Sequence, residues 1–374
     1  MTEPQRTAEP AFDAADEYRP EPLRPPELPA WQDGSFRIGI HTSIAGNLTD
    51  SLETARKLGC NALQIFSSSP RMWPRPAISR IPEVEAARFR ERRAELALGP
   101  LVVHDNYLIN LASSEPVLRA RSIQALHDEL ARAVALGADF LVVHPGSSRG
   151  GTPREAVPAI ATALRQAARG IKFDALRVLL ENTAGMGRAA GSRFEELAAI
   201  LDALTDWPIG VCIDTAHTFQ AGYDLRSELG LEHTLETIER TVGLDRVFVL
   251  HVNDSRTPLG SRVDRHEHIG RGRIGFQAFR RILNHPRLAP NAMQGLPGRA
   301  FILETPIDKP GDDRRNVRTL WQLVGLTKRQ APHAEDGFTM LRSAKVRKQN
   351  PRKRNPSASN HPRAQKSKGT RRRA

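Results

Sequence analysis

The sequence predicts an α/β protein folded as a (β/α)8 TIM barrel, and two observations carry that prediction. Eight short apolar, β-branched runs recur within residues 36–327, with amphipathic stretches between them. Each run is nearly continuous in hydrophobicity, as strands buried on both faces are. Eight strand–helix units over this span also fit the usual size of such a barrel, about 250 residues or more. A doubly wound open sheet is the alternative. No G-x-G-x-x-G follows the first run, so a dinucleotide site has little support.

The runs are RIGIH (37–41), ALQIF (62–66), LVVH (101–104), FLVVH (140–144), RVLLE (177–181), IGVCID (209–214), VFVLH (247–251) and AFILE (300–304). Between the first two, Leu48, Leu52, Ala55 and Leu58 recur at helical spacing, and Gly59 follows as a stop signal. After the fourth run, Thr152-Pro153-Arg154-Glu155 reads as a capping box with proline at the first helical position. Val157, Ile160 and Leu164 then line one helix face, which Pro158 is expected to kink.

Composition sets the outer limits. Of 374 residues, 39% are hydrophobic and 26% charged, an ordinary globular balance. No run approaches the roughly 20 apolar residues that span a membrane. The acidic, Pro-rich N-terminus lacks the basic start and apolar stretch of a secretory signal. Two cysteines, Cys60 and Cys212, cannot build a disulfide scaffold or a four-thiolate metal site. A reducing, cytoplasmic setting is therefore expected.

The net charge of +13 is unevenly placed. Residues 342–374 hold thirteen Lys and Arg and no acid, while residues 1–35 hold eight acids and three arginines. Three segments follow: an acidic extension over 1–35, the barrel over 36–327 and a basic tail over 328–374. The basic stretch from Lys345 on has one bulky apolar residue, Val346, too little to offset chain ordering, and the N-terminal segment has seven prolines in its first thirty residues, so disorder is expected in both. The tail reads either as a solvated appendage or as an electrostatic tether to nucleic acid. Clustered Lys and Arg gain affinity by releasing counterions from phosphates without reading sequence.

The strand ends carry the chemistry. Six runs end in a potential metal ligand: His104, His144, Glu181, Asp214, His251 and Glu304. In a barrel these ends converge on the face where active sites of this fold lie. One such residue is more often a satisfied structural group. Six on consecutive runs are hard to explain as packing, because unpaired ionisable groups are costly to bury. His217 lies in the turn after Asp214, and Asp264-x-His266 places two more ligands on one side of an extended segment. Five His, two Asp and two Glu exceed the needs of one ion and imply two or three. The mixture favours zinc, with manganese or iron as substitutes, over magnesium or calcium. A buried salt-bridge network is the bland alternative.

At these residues the sequence resembles endonuclease IV, the AP endonuclease family 2 of base-excision repair. The resemblance covers about residues 36–310. It rests on HDNYLINLAS (104–113), HPGSS (144–148), ENTAG (181–185), CIDTAHTFQAGYDLR (212–226), HVNDS (251–255) and GSRVDRHEHIGRG (260–272). It implies three zinc ions. Glu181 is shared by two of them, His104 and His144 complete the first, and Asp214, His251 and Glu304 complete the second. His217, Asp264 and His266 hold the third. It further implies metal-activated hydrolysis of the phosphodiester 5′ to an abasic site in duplex DNA, with Glu181 and Glu304 catalytic. Arg71, Tyr107 and Leu108 match the side chains that such proteins insert into the minor groove.

The sequence departs from the family pattern at Ser148, Met72 and Ala216, none of them among the nine ligands. A sugar isomerase or epimerase of the same barrel type is the competing function. Such enzymes usually need one or two metals, and the additional His217 and Asp264-x-His266 favour the nuclease. A non-catalytic nucleic-acid-binding protein leaves the ligand set without a use. A monomer is expected, working at the nucleoid.

Overall fold

The computed structural model describes residues 36–73, 80–148, 155–290 and 299–324. Within them the eight expected runs form eight strands: β1 (Arg37–Thr42), β2 (Leu63–Phe66), β3 (Leu101–His104), β4 (Phe140–Val143), β5 (Arg177–Glu181), β6 (Ile209–Asp214), β7 (Val247–His251) and, last in the chain, β10 (Ala300–Leu303). They pair in parallel and close as β1-β10-β7-β6-β5-β4-β3-β2. The remaining two strands, β8 (Asp254–Ser255) and β9 (His266–Glu267), form a small antiparallel pair apart from the barrel.

Helices follow the barrel strands in turn: α1 (Asp50–Leu58), α2 (Glu83–Glu95), α3 (Pro116–Ala135), α4 (Val157–Ala167), α5 (Phe194–Asp202), α6 (Thr215–Ala221), α7 (Glu228–Thr241), α8 (Phe276–Leu283) and α9 (Asp312–Leu323). α1 ends where the sequence indicates, with Gly59 at φ 90°, a left-handed conformation that favours glycine. The expected kink at Pro158 is absent. Pro158 lies in the first turn of α4, where a backbone N–H has no intrahelical partner to lose. The reading of residues 152–155 as a cap falls mainly outside the described residues, as do the extensions over 1–35 and 328–374.

Each barrel strand is buried on both faces. Alternate residues face a layer inside the barrel, where Ala62, Val102, Val142, Leu179, Val249 and Ile302 pack together. The intervening residues, such as Val103, Leu180 and Leu303, pack outward against the helices. Gly39 belongs to the inner layer because the barrel leaves it no room. A Cβ there would lie 2.6 Å from Ile302 Cδ1 and 2.7 Å from the Ala62 backbone. No helix among the described residues is long and apolar enough to cross a membrane.

Candidate metal centre and nucleic-acid face

The period of two along a strand places the site. Two residues beyond the inner-layer positions lie His104 after Val102, His144 after Val142 and Glu181 after Leu179. Asp214 follows Cys212 in the same way, His251 follows Val249 and Glu304 follows Ile302. All six side chains therefore share one interior level at the C-terminal mouth. His144 and Glu304 stand one residue past their strands. His217 arrives separately, because Asp214 caps α6 by accepting from the His217 backbone N–H at 2.8 Å. Asp264 and His266 reach the mouth from the β8–β9 excursion.

The parity argument also exposes two residues that the sequence reading passed over. His41 follows Gly39, and Gln64 follows Ala62, so all eight strands supply a polar side chain at this level. RIGIH ends in histidine as LVVH does, and the same strand-end rule reaches it. Gln64 sits mid-run, and as a neutral amide it gives no ligand signal.

The donors group around two oxygens of one carboxylate. His104 Nε2 and His144 Nε2 lie 3.3 and 3.4 Å from Glu181 Oε2. On the other side, His251 Nδ1 lies 3.0 Å from Glu181 Oε1 and 3.3 Å from Glu304 Oε2. Asp214 completes that second group. A third group joins Asp214, His217 and His266. Asp264 reaches both imidazoles of that group, Oδ2 being 3.3 Å from His217 Nε2 and Oδ1 3.4 Å from His266 Nε2.

These residues fit metal ions. Tetrahedral donors about 2.0–2.1 Å from zinc stand roughly 3.3–3.4 Å apart. The ring nitrogens facing the centre are free to act as donors. His104 Nδ1 bonds the Asp105 carbonyl at 2.9 Å and His217 Nδ1 bonds the Asn182 carbonyl at 2.9 Å, which leaves each Nε2 with a lone pair. The Nε2 atoms of His217 and His266 are buried without a hydrogen-bond partner.

Neutral amides hold the carboxylates from outside. Asn182 Oδ1 accepts from the Asp214 N–H at 2.6 Å. Asn253 donates to Asp214 Oδ2 at 2.6 Å and accepts from the Glu304 N–H at 2.8 Å. The electrostatics match this crowding of opposite charges. Burial opposes charge on Glu181 and Glu304, but His251 and its neighbours hold both carboxyls below the usual range. Burial likewise works against charge on His104, yet in the metal-free centre Glu181 and Glu304 raise its pKa to about 10, and a bound ion would take the place of the proton on Nε2.

A fourth group, His268, Asp308 and Asp312, gathers near the start of α9. It is a hydrogen-bonded clamp. Asn316 Oδ1 accepts from the Ile269 N–H at 3.2 Å, so its Nδ2 donates to His268 Nδ1 at 3.1 Å. That assigns the proton to His268 Nε2, which faces both aspartates at 3.5 Å.

A cavity of about 210 Å³ opens over the centre, with Tyr107, Asp264 and Ile307 in its wall. Tyr107 is 59% and Met72 61% exposed, and Arg71 beside Met72 is exposed as well. Leu108 is half-buried. Asn106 ties the two loops together by donating to the Ser69 and Met72 carbonyls at 2.9 and 2.8 Å. The base of the Arg71 loop is held from α3, where the buried Glu129–Arg132 pair bonds Ser67 and Ser68. Of the departures from the family pattern, Ser148 and Ala216 are buried and only Met72 faces outward.

Barrel and ligand level together define a class, the xylose isomerase-like TIM barrels, whose family model matches residues 52–322. A probable endonuclease 4 of Solibacter usitatus is 51% identical over 294 residues, covering 78% of this chain and 97% of that protein. Endonuclease IV of Thermus thermophilus superposes with a TM-score of 0.65 at 39% identity, covering 77% of this chain and 98% of that one. The chain belongs to the endonuclease IV family. A D-tagatose 3-epimerase-like protein, at TM-score 0.56 and 18% identity, shares the fold alone.

Proposed function

We propose that the protein is a base-excision-repair endonuclease that hydrolyses the phosphodiester 5′ to abasic sites in duplex DNA. The products are a 3′-hydroxyl and a 5′-deoxyribose phosphate. The observation that carries this reading is the convergence of nine donor side chains at one mouth, beside an exposed rim formed by Arg71, Met72 and Tyr107. Family membership supports it, since the Solibacter and Thermus relatives bear the endonuclease name.

His104, His144 and Glu181 would hold one zinc ion, and Glu181, Asp214, His251 and Glu304 a second. His217, Asp264 and His266 would hold the third, with Asp214 close by. Zinc, or manganese as a substitute, supplies charge stabilisation at the phosphate and water of lowered pKa. Glu304 is the catalytic residue that orients the attacking water and takes its proton; its carboxylate is ionised and its backbone is fixed by Asn253. Glu181 is the other catalytic carboxylate, placed between the two halves of the site.

Tyr107 and Leu108 provide an apolar wedge and Arg71 a cation for the minor groove. An abasic duplex lacks a stacked base at the lesion and kinks at low cost, so a wedge of this kind selects for it. The chain works as a monomer in the cytoplasm at the nucleoid, with residues 342–374 as a non-specific nucleic-acid contact. A sugar-isomerase reading keeps the barrel but gives the rim and the His217–Asp264–His266 group no use.

The test is an end analysis on a duplex carrying one abasic site. Cleavage 5′ to the lesion with a 3′-hydroxyl end supports the proposal. An uncut duplex together with turnover of a ketose by the same preparation would replace it with the isomerase reading.

A further inference from the structure

Gln64 is fully buried on β2 at the ligand level, and its amide touches three groups of the site. Its Nε2 lies 2.5 Å from Glu304 Oε1 and 3.0 Å from His41 Nδ1, and its Oε1 lies 2.8 Å from His251 Nε2. Glu304 decides which end of the amide is which. A carboxylate accepts and does not donate, so an amide oxygen at 2.5 Å would be repelled, and the nitrogen must face it. The oxygen then faces His251 Nε2, which must carry the proton to donate. His251 Nδ1 is turned toward Glu181 Oε1 and Glu304 Oε2; in the metal-free centre it donates to them, and a bound ion would take the place of that proton. The second amide proton goes to His41 Nδ1. Every polar atom of Gln64 is satisfied, and each contact has a direction.

We propose that Gln64 is a positioning residue for the metal centre. It selects the His251 tautomer that offers Nδ1 to a metal ion, and it anchors one oxygen of Glu304. Partners behind metal-binding imidazoles fix ring orientation and tautomer, and their loss typically costs about 10–100-fold in metal affinity or activity. The inference rests on the metal reading proposed above, in particular on the group of Glu181, Asp214, His251 and Glu304.

Two measurements test it, and neither needs DNA. The first is zinc stoichiometry and affinity by competition with a chromogenic chelator, for the wild-type chain and for Gln64→Leu. One ion should be held about 10–100-fold more weakly in the variant, with the others unchanged. The second uses the wild-type chain alone, so it survives a variant that fails to fold. In protein loaded with cadmium-113 and labelled with nitrogen-15, His251 should show metal coupling at Nδ1 and a proton on Nε2. Unchanged zinc affinity in a folded Gln64→Leu, or coupling at Nε2, overturns the proposal. Wild-type protein that binds no zinc or cadmium overturns the metal reading itself, and this inference with it.

Discussion

Glu181 and His251 meet at the centre of the barrel mouth, 70 residues apart in the chain, with His251 Nδ1 3.0 Å from Glu181 Oε1. The other oxygen of Glu181 faces His104 and His144. One side chain thus joins the two halves of the site. The reason lies in strand geometry: Glu181 ends β5 and His251 ends β7, and both stand two residues above an inner-layer apolar residue.

Glu304 supplies the sharpest test of role. Replacing Glu304 by Gln keeps the volume but removes the proposed base, and should lower incision of abasic duplex by a factor of about a hundred or more. Affinity for the same duplex, measured by fluorescence anisotropy, should stay within a few-fold of wild type. Wild-type turnover by the variant would remove Glu304 from the mechanism.

Asn106 offers a separate handle on the proposed DNA face. Asn106→Ala removes two hydrogen bonds that join the Arg71 loop to the Tyr107 loop. At about 0.5–1.5 kcal/mol for each bond, binding of abasic duplex should weaken by roughly tenfold. Zinc content by elemental analysis should not change. Equal affinity for abasic duplex would mean that the two loops do not act as a unit.

The fold and most of the site are legible in the sequence for one physical reason. Parallel strands of a closed barrel are apolar on both faces, so a charged or imidazole residue at a strand end stands out, as His104 and Glu181 do. What escapes is of two kinds. Gln64, Asn182 and Asn253 act as neutral amides whose partners are brought close only by the barrel. His41 was open to the same rule as its neighbours, since it ends its run as His104 does. The kink expected at Pro158 failed because the start of α4 lies later than the reading of residues 152–155 placed it.

Deleting residues 342–374 tests the tail. The truncated chain should cut at low salt at the wild-type rate but bind DNA more weakly. The slope of log affinity against log salt should also be shallower, because fewer counterions are released. Unchanged affinity at low salt would return the tail to a solvated appendage.

Cys60 gives a pH prediction independent of the metal centre. It lies in the turn between α1 and β2 with its thiol buried, and burial pushes its pKa up to about 12. The folded state thus favours the neutral thiol. This contribution to stability is complete below the unfolded value near 9 and is lost as pH rises toward 12. Labelling of Cys60 by a disulfide reagent, followed by peptide mapping, should be slow from pH 8 to 9 and should track unfolding. Rapid labelling of native protein at pH 8 would contradict the burial.

The central claim is that metal ions held by these nine residues drive incision of abasic DNA. The direct measurement is cleavage of a duplex with one abasic site, without added magnesium, before zinc is stripped, after stripping, and after zinc is restored. Activity that falls with zinc, returns with about three ions per chain and leaves a 3′-hydroxyl is the predicted result. Full incision by protein shown to be free of metal, or no incision by protein carrying about three zinc ions, would contradict it.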